Sequence, residues 1–68
     1  MKAKVKLTWV DRDGNAACSG MDEVVEMDGH DEQNILDGAT AAAVHHWYDD
    51  LRVQRGEIEP VAEIVETG

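Results

Sequence analysis

Hydrophobic and polar residues alternate along Lys2–Val10, near the start of the chain. One set of alternate positions is small or apolar: Ala3, Val5, Leu7 and Trp9. The positions between them hold three lysines and Thr8. A period of two residues predicts a strand with one buried face. Asp13-Gly14 then lies within Asp11–Asn15 and is typical of a hairpin turn, so Ala16–Ser19 is predicted to be a short second strand that pairs back on the first.

Two later segments also have strand character. Asp22–Met27 is predicted to be a third strand, with Val25 and Met27 on one face. Glu57–Glu66 is predicted to be the last strand, since its apolar and acidic residues occupy opposite faces. Pro60 cannot donate a ladder hydrogen bond, which indicates either an edge position or a strand that begins at Val61.

The segment Asp31–Arg55 is predicted to be a long helix. Apolar residues recur at four-residue steps along it: Ile35, Ala39, Ala43, Trp47 and Leu51. This spacing places an apolar band on one side of a helix. Asp31 is a suitable N-cap and Gly56 a suitable stop. Gly38 costs about 1 kcal/mol relative to alanine within a helix, and we interpret it either as a kink or as a point where a strand comes close.

The predicted order of elements is β-β-β-α-β. This order predicts a single α+β domain over residues 1–68, with one antiparallel-rich sheet and the long helix packed on one face. A chain this short buries only about 60% of its unfolded surface, so we expect it to form a homodimer that covers more apolar surface. It has one cysteine and no apolar run long enough to span a membrane, which favours a reducing, cytoplasmic location.

The formal net charge is −9, and the negative charge is unevenly distributed. Residues 21–37 contain no lysine or arginine and seven carboxylates: Asp22, Glu23, Glu26, Asp28, Asp31, Glu32 and Asp37. A field of this sign repels nucleic acid and attracts basic proteins, so we expect no direct nucleic-acid contact. The alternative is that the acidic residues only keep the protein soluble, since charge runs are usually solvated faces.

Several local motifs resemble the HicB family, antitoxins with a partial ribonuclease-H-like fold. These motifs are the acidic turn Asp11-Arg12-Asp13-Gly14, the Ala17-Cys18 step, the helix start Asp31-Glu32, the pair Trp47-Tyr48, and the passage Arg55-Gly56-Glu57-Ile58-Glu59-Pro60. Gly20-Met21 stands where that family has a proline-rich link. The resemblance implies a partner that is a small basic ribonuclease toxin. The helix entry Asn34-Ile35-Leu36-Asp37 is also similar to that of plant-type ferredoxins, but one cysteine cannot hold their cluster.

Candidate chemistry is confined to two places. His45 with Asp49 and His46 with Asp50 are pairs four residues apart, and each pair would share a helix face and could ligate a divalent metal. Cys18 could be a nucleophile with a histidine as base, although a small buried cysteine is the commoner case. No phosphate-binding loop or zinc-binding spacing is present, so we expect no enzyme activity and no cofactor.

Three functions remain open from the sequence. The first is an inhibitor whose acidic face occupies a basic nuclease or other nucleic-acid-binding protein. An antitoxin and a phage anti-CRISPR protein that mimics nucleic acid both fit this description. Trp9 and Trp47 are predicted to be core residues, and the alternative is that Trp47, with its neighbour Tyr48, is an aromatic anchor at the interface. The second is a structural or assembly subunit with a solvating acidic surface. The third is a small metal-binding protein that uses the histidine and aspartate pairs.

Overall fold

The computed structural model describes residues 1–68, which form one sheet and two helices. The elements are β1 (Lys2–Asp11), a 3-10 turn (Ser19–Met21), β2 (Glu23–Asp28), α1 (Glu32–His46), α2 (Leu51–Gln54) and β3 (Ile58–Thr67). β1 is the central strand and pairs antiparallel with β2 on one side and β3 on the other. The α+β class, with one antiparallel sheet and one long helix, is confirmed.

The alternation in β1 determines which face of the sheet is covered. Its small and apolar residues are buried, and Trp9 and Val5 have no exposed surface. The lysines between them are exposed. Ile35, Ala39 and Ala43 form the buried side of α1, so the helix packs on the apolar face of β1 and the sheet. The outer face of the sheet remains open to solvent.

The prediction of a second strand over Ala16–Ser19 is wrong. Ala16 makes a single bridge to Val10, and the Ala17 N–H donates to the carbonyl oxygen of Trp9. The chain then leaves the sheet at Cys18, whose φ of 55° is left-handed, and enters the 3-10 turn. Small residues without β-branched or aromatic neighbours give this segment little to pack on the sheet.

The predicted helix begins where expected but is shorter. Asp31 is the N-cap of α1, since its carboxylate accepts the Asn34 N–H at 2.8 Å. The helix ends at His46, nine residues before the predicted end at Arg55. A second helix, α2, starts after Asp50, whose carboxylate accepts the Arg52 N–H at 2.8 Å. Aspartate is a favoured N-cap, so Asp50 starts a new helix instead of continuing the first.

Pro60 lies within β3, which is an edge strand as the sequence indicated. It is paired with Trp9, whose N–H donates to Asp22 and whose carbonyl accepts from Ala17, so both groups point away from β3. Alternate residues of an antiparallel pair point their backbone groups away from each other. The missing N–H of Pro60 therefore faces solvent and costs no ladder bond.

Gly38 lies where α1 comes close to β2. A Cβ built at this position would be 3.3 Å from the Cε atom of Met27. The interpretation of Gly38 as a point of close approach to a strand is therefore supported. α1 also runs through it without interruption.

Candidate functional site

The seven carboxylates of residues 22–37 follow one another through the start of β2, β2 itself and the first turns of α1, and we term this set the acidic edge. β2, an edge strand of the sheet, pairs only with β1. The glutamate and aspartate at positions 26 and 28 are opposite Lys4 and Lys2, so they project from the outer face of the sheet. Glu32 and Asp37 belong to α1, on the opposite face. The set is therefore divided between the two faces of the sheet and does not occupy one flat face.

Three of these carboxylates support the fold directly. Asp22 accepts the backbone N–H of Trp9 at 3.1 Å, where β1 runs beyond β2. Asp31 caps α1, and Asp37 accepts the side-chain amide of Gln33 at 2.8 Å. The capping role of Asp31 confirms the prediction, whereas the sequence did not indicate the bonds of Asp22 and Asp37.

The other four carboxylates make no hydrogen bond within the chain. Glu26, Asp28 and Glu32 are exposed, and Glu23 is half-buried beside Leu7. The ion pairs of the molecule are Lys4–Glu66, Arg52–Asp50 and Arg55–Glu57. None of them includes a carboxylate of the acidic edge, so its negative charge has no cation within 4 Å.

Lys4 of β1 forms its ion pair with β3 and not with β2. Lys4 lies opposite both Glu26 and Glu66, but its Nζ atom is 3.6 Å from Glu66 on β3. This is the one ion pair that a lysine of β1 forms. An exposed pair of this kind contributes only about 0.2–1 kcal/mol. Glu26, which lies opposite the same lysine, therefore stays outside the ion pairs.

The two aromatic candidates lie at the end of α1. Trp47 is the C-cap and is half-buried against the core, with its ring edge-on to His46 at 5.2 Å between centroids. Its buried indole Nε1 has no acceptor. Tyr48 is 58% exposed, and Leu51 nearby is 57% exposed. Trp47 therefore contributes to the core, whereas Tyr48 and Leu51 present apolar surface to solvent.

The predicted metal site required each histidine and aspartate pair to lie on one face of a continuous helix, and the structure does not have this arrangement. α1 ends at His46, so Asp49 and Asp50 do not follow His45 and His46 on a continuous helix. Both carboxylate oxygens of Asp50 accept hydrogen bonds from Arg52, at 3.0 Å to Nε and 2.6 Å to Nη2. These bonds lower the pKa of Asp50 to about 2 and raise that of Arg52. No three His, Cys, Asp or Glu side chains gather closely enough to hold a metal ion.

Arg52 makes a contact that the sequence did not indicate. Its Nη1 atom donates to the Sγ atom of Cys18 at 2.7 Å, and Nη2 is 3.9 Å from the Sδ atom of Met21. This guanidinium therefore ties the segment between β1 and β2 to α2. Cys18 is half-buried, and no histidine shares this contact. Sequence spacing gives no signal for a contact between residues 34 positions apart.

Comparison with protein-family models, curated proteins and solved structures gave no match. The similarity to HicB antitoxins therefore stays a prediction that depends on the short motifs alone. No helix of the protein is long and apolar enough to cross a membrane.

Proposed function

We propose that this protein is a small acidic binding protein, without catalytic activity, that occupies the nucleic-acid-binding surface of a basic partner. The observation that supports the proposal best is the lack of any cation within 4 Å of the acidic edge. Carboxylates neutralised inside the molecule would offer little to a partner. Those of the acidic edge keep their charge available.

Charge and apolar contact would have separate roles in this complex. Negative charge that is not held in an ion pair accelerates encounter with a positive surface, and this effect weakens as salt screens it. Residence time requires desolvated contact, for which aromatic side chains are the commonest anchors. Tyr48 after α1 and Leu51 at the start of α2 offer such surface, and Trp47 packs against the core.

Two biological settings fit this proposal. In the first, the protein is an antitoxin that neutralises a basic ribonuclease, as the HicB-like motifs imply. In the second, it is a phage protein that inhibits a host nuclease by mimicking nucleic acid, in the manner of an anti-CRISPR protein. Both settings are cytoplasmic. The homodimer expected from the short chain is a separate prediction, tested by sedimentation.

Affinity capture from the native host, followed by titration of the purified partner, tests the proposal. We expect a basic nucleic-acid-binding partner whose affinity falls steeply between low and moderate salt. A partner held by apolar packing alone, with affinity insensitive to salt, would indicate a structural or assembly subunit instead. Competition with a nucleic acid that the partner binds then determines whether the two ligands share a surface.

A matched pair of variants separates local from global charge. Replacing Glu26 and Glu32 by glutamine removes two charges from the acidic edge, and replacing Glu59 and Glu63 removes two from β3. Both variants carry the same net charge, and all four residues are exposed and outside the ion pairs. We expect the first variant to bind the partner more weakly than the second. Equal losses would mean that only the total charge matters.

A further inference from the structure

The two edges of the sheet differ in how they are protected from pairing with another chain. β3 has Pro60 within it, and its pairing with β1 shifts register between Lys4 and Val5. Proline and bulges are devices by which edge strands avoid further pairing. β2 has neither over Glu23–Asp28, and its register with β1 is regular throughout. β2 is therefore the edge that can accept a further strand.

Hydrogen bonds at the end of β2 identify which backbone groups are free. Gly29 and Met1 exchange two hydrogen bonds. The Gly29 N–H donates to the carbonyl oxygen of Met1 at 3.0 Å, and the Met1 amino group donates to the carbonyl oxygen of Gly29 at 2.9 Å. Hydrogen-bonded and non-hydrogen-bonded pairs alternate along an antiparallel ladder. Met27 and Val25 thus point their backbone groups toward β1, and Val24, Glu26 and Asp28 point theirs outward.

The side chains of these same three residues specify the chemistry of the incoming strand. All three are exposed, and Glu26 and Asp28 lie two positions apart on the outer face of the sheet. Across the paired edge of β2, Lys4 and Lys2 of β1 lie directly opposite Glu26 and Asp28. An added strand with lysine or arginine at alternate positions would repeat this charge complementarity along the free edge of β2.

A second copy of the protein does not meet this requirement. Antiparallel pairing of β2 with its own copy would bring the carboxylates of two acidic strands onto one surface, and like charges across strands are destabilising. β1 is the one strand with alternating lysines, but both of its edges are already paired. The occupant is therefore an extended segment of another protein.

From these observations we infer that β2 binds an extended basic segment of its partner as a fourth strand of the sheet. The main-chain groups of Val24, Glu26 and Asp28 would supply hydrogen bonds, and the two carboxylates would select lysine or arginine at alternate positions. This inference depends on the proposed function, because it names the part of the basic partner that the acidic edge contacts.

The test uses the whole chain and a blocked seven-residue peptide of alternating lysine and valine as the probe. A second peptide of the same sequence and charge, with every second backbone nitrogen methylated, is the control. We expect the first peptide to slow hydrogen exchange at the amides of Val24, Glu26 and Asp28, measured by NMR. The amides of Ala62 and Ile64 on the free edge of β3 should not change. The methylated peptide should bind more weakly, by about fivefold for each hydrogen bond lost.

A pair of proline variants provides a second readout. Val24→Pro removes one outward N–H without a change of charge, and Ala62→Pro does the same on β3. Only Val24→Pro should weaken binding of the first peptide. If Val24→Pro does not fold, as judged by circular dichroism, the two peptides on the parent chain still decide the question.

Two results would overturn the inference. Equal binding of both peptides, without protection of the β2 amides, would mean that charge alone attracts them, and the proposed function would stand. Failure of both peptides to bind, while a basic partner is captured as described above, would also exclude strand addition and leave the proposed function intact. Failure of the capture experiment itself would instead remove the proposed function.

Discussion

Asp22 offers a direct test of whether a carboxylate of the acidic edge serves the fold. Its side chain accepts the backbone N–H of Trp9, a residue with no exposed surface. Truncation in Asp22→Ala would leave that N–H without its acceptor. In Asp22→Asn the amide oxygen can still accept the bond, so this variant removes the charge and keeps the contact.

The expected loss of stability follows from the burial of this bond. A hydrogen bond to a charged group contributes about 1.5–3 kcal/mol, and the exposure of Asp22 places the value near the low end, at about 1–2 kcal/mol. A domain of 68 residues has a free energy of unfolding of roughly 3–10 kcal/mol in all. The alanine variant should therefore lose a substantial fraction of the total and melt about 4–16 °C lower.

Urea unfolding followed by tryptophan fluorescence measures this loss, because Trp9 is in the core. Glu26→Ala is the matched control, since Glu26 is exposed and makes no hydrogen bond, and it should change stability by less than about 0.5 kcal/mol. We expect Asp22→Asn to resemble the control. An Asp22→Ala variant as stable as the parent would refute the structural role of Asp22.

Four further changes have definite expected outcomes. Because Arg52 lowers the pKa of Asp50 from 3.8 to about 2, this carboxylate stabilises the fold above pH 4, and the effect is lost as the pH falls toward 2. Asp50→Asn should therefore lose less stability than the parent between pH 4 and 2, and parallel pH profiles would contradict this. Gly38→Ala should raise the melting temperature, because alanine favours the helix by up to about 1 kcal/mol and the flexible Met27 tip can move; a lower melting temperature would mean that it cannot. Gly29→Ala should be destabilising, because its Cβ would lie 2.9 Å from the Cγ1 atom of the fully buried Ile35, and an unchanged melting temperature would contradict this close packing. Tyr48→Ala should leave stability within about 0.5 kcal/mol but accelerate dissociation of the captured partner, and an unchanged dissociation rate would exclude Tyr48 as an anchor.

Elements with a strong period were predictable from the sequence. The alternation in β1 is enforced by burial of one face only, so the pattern and the structure agree residue by residue. The start of α1 was predictable because Asp31 caps it, and the edge position of Pro60 was predictable from its missing donor. In each case one local physical requirement determines the outcome.

The two wrong predictions, the second strand and the length of the helix, concern places where an aspartate carboxylate accepts a backbone N–H. The hairpin signal at Asp13-Gly14 is real, since Gly14 has a φ of 83° and Val10 bridges Ala16. Asp22 then takes the Trp9 N–H that a longer second strand would have used. The apolar period continued through Leu51, but the capping preference of Asp50 outweighed it. Asp22 was considered for its charge and Asp50 as a metal ligand, and the hydrogen-bonding role of both was missed.

The candidate site was predictable in composition but not in arrangement. Seven carboxylates could be counted from the sequence, yet their division around the β2 edge depends on the strand order β2-β1-β3. The same strand order makes β2 an edge strand. No periodicity in the sequence specifies which strands lie at the edges of the sheet.

The central position of β1 also bears on how the chain folds. Thr8 pairs with Val61, so the two ends of the sequence must meet before the sheet is complete. Closing so long a loop is slow compared with forming local contacts, and we expect folding to be limited by this step. A nascent or cleaved chain that lacks β3 would expose one side of β1 and part of its hydrophobic layer, which makes such a fragment prone to aggregate.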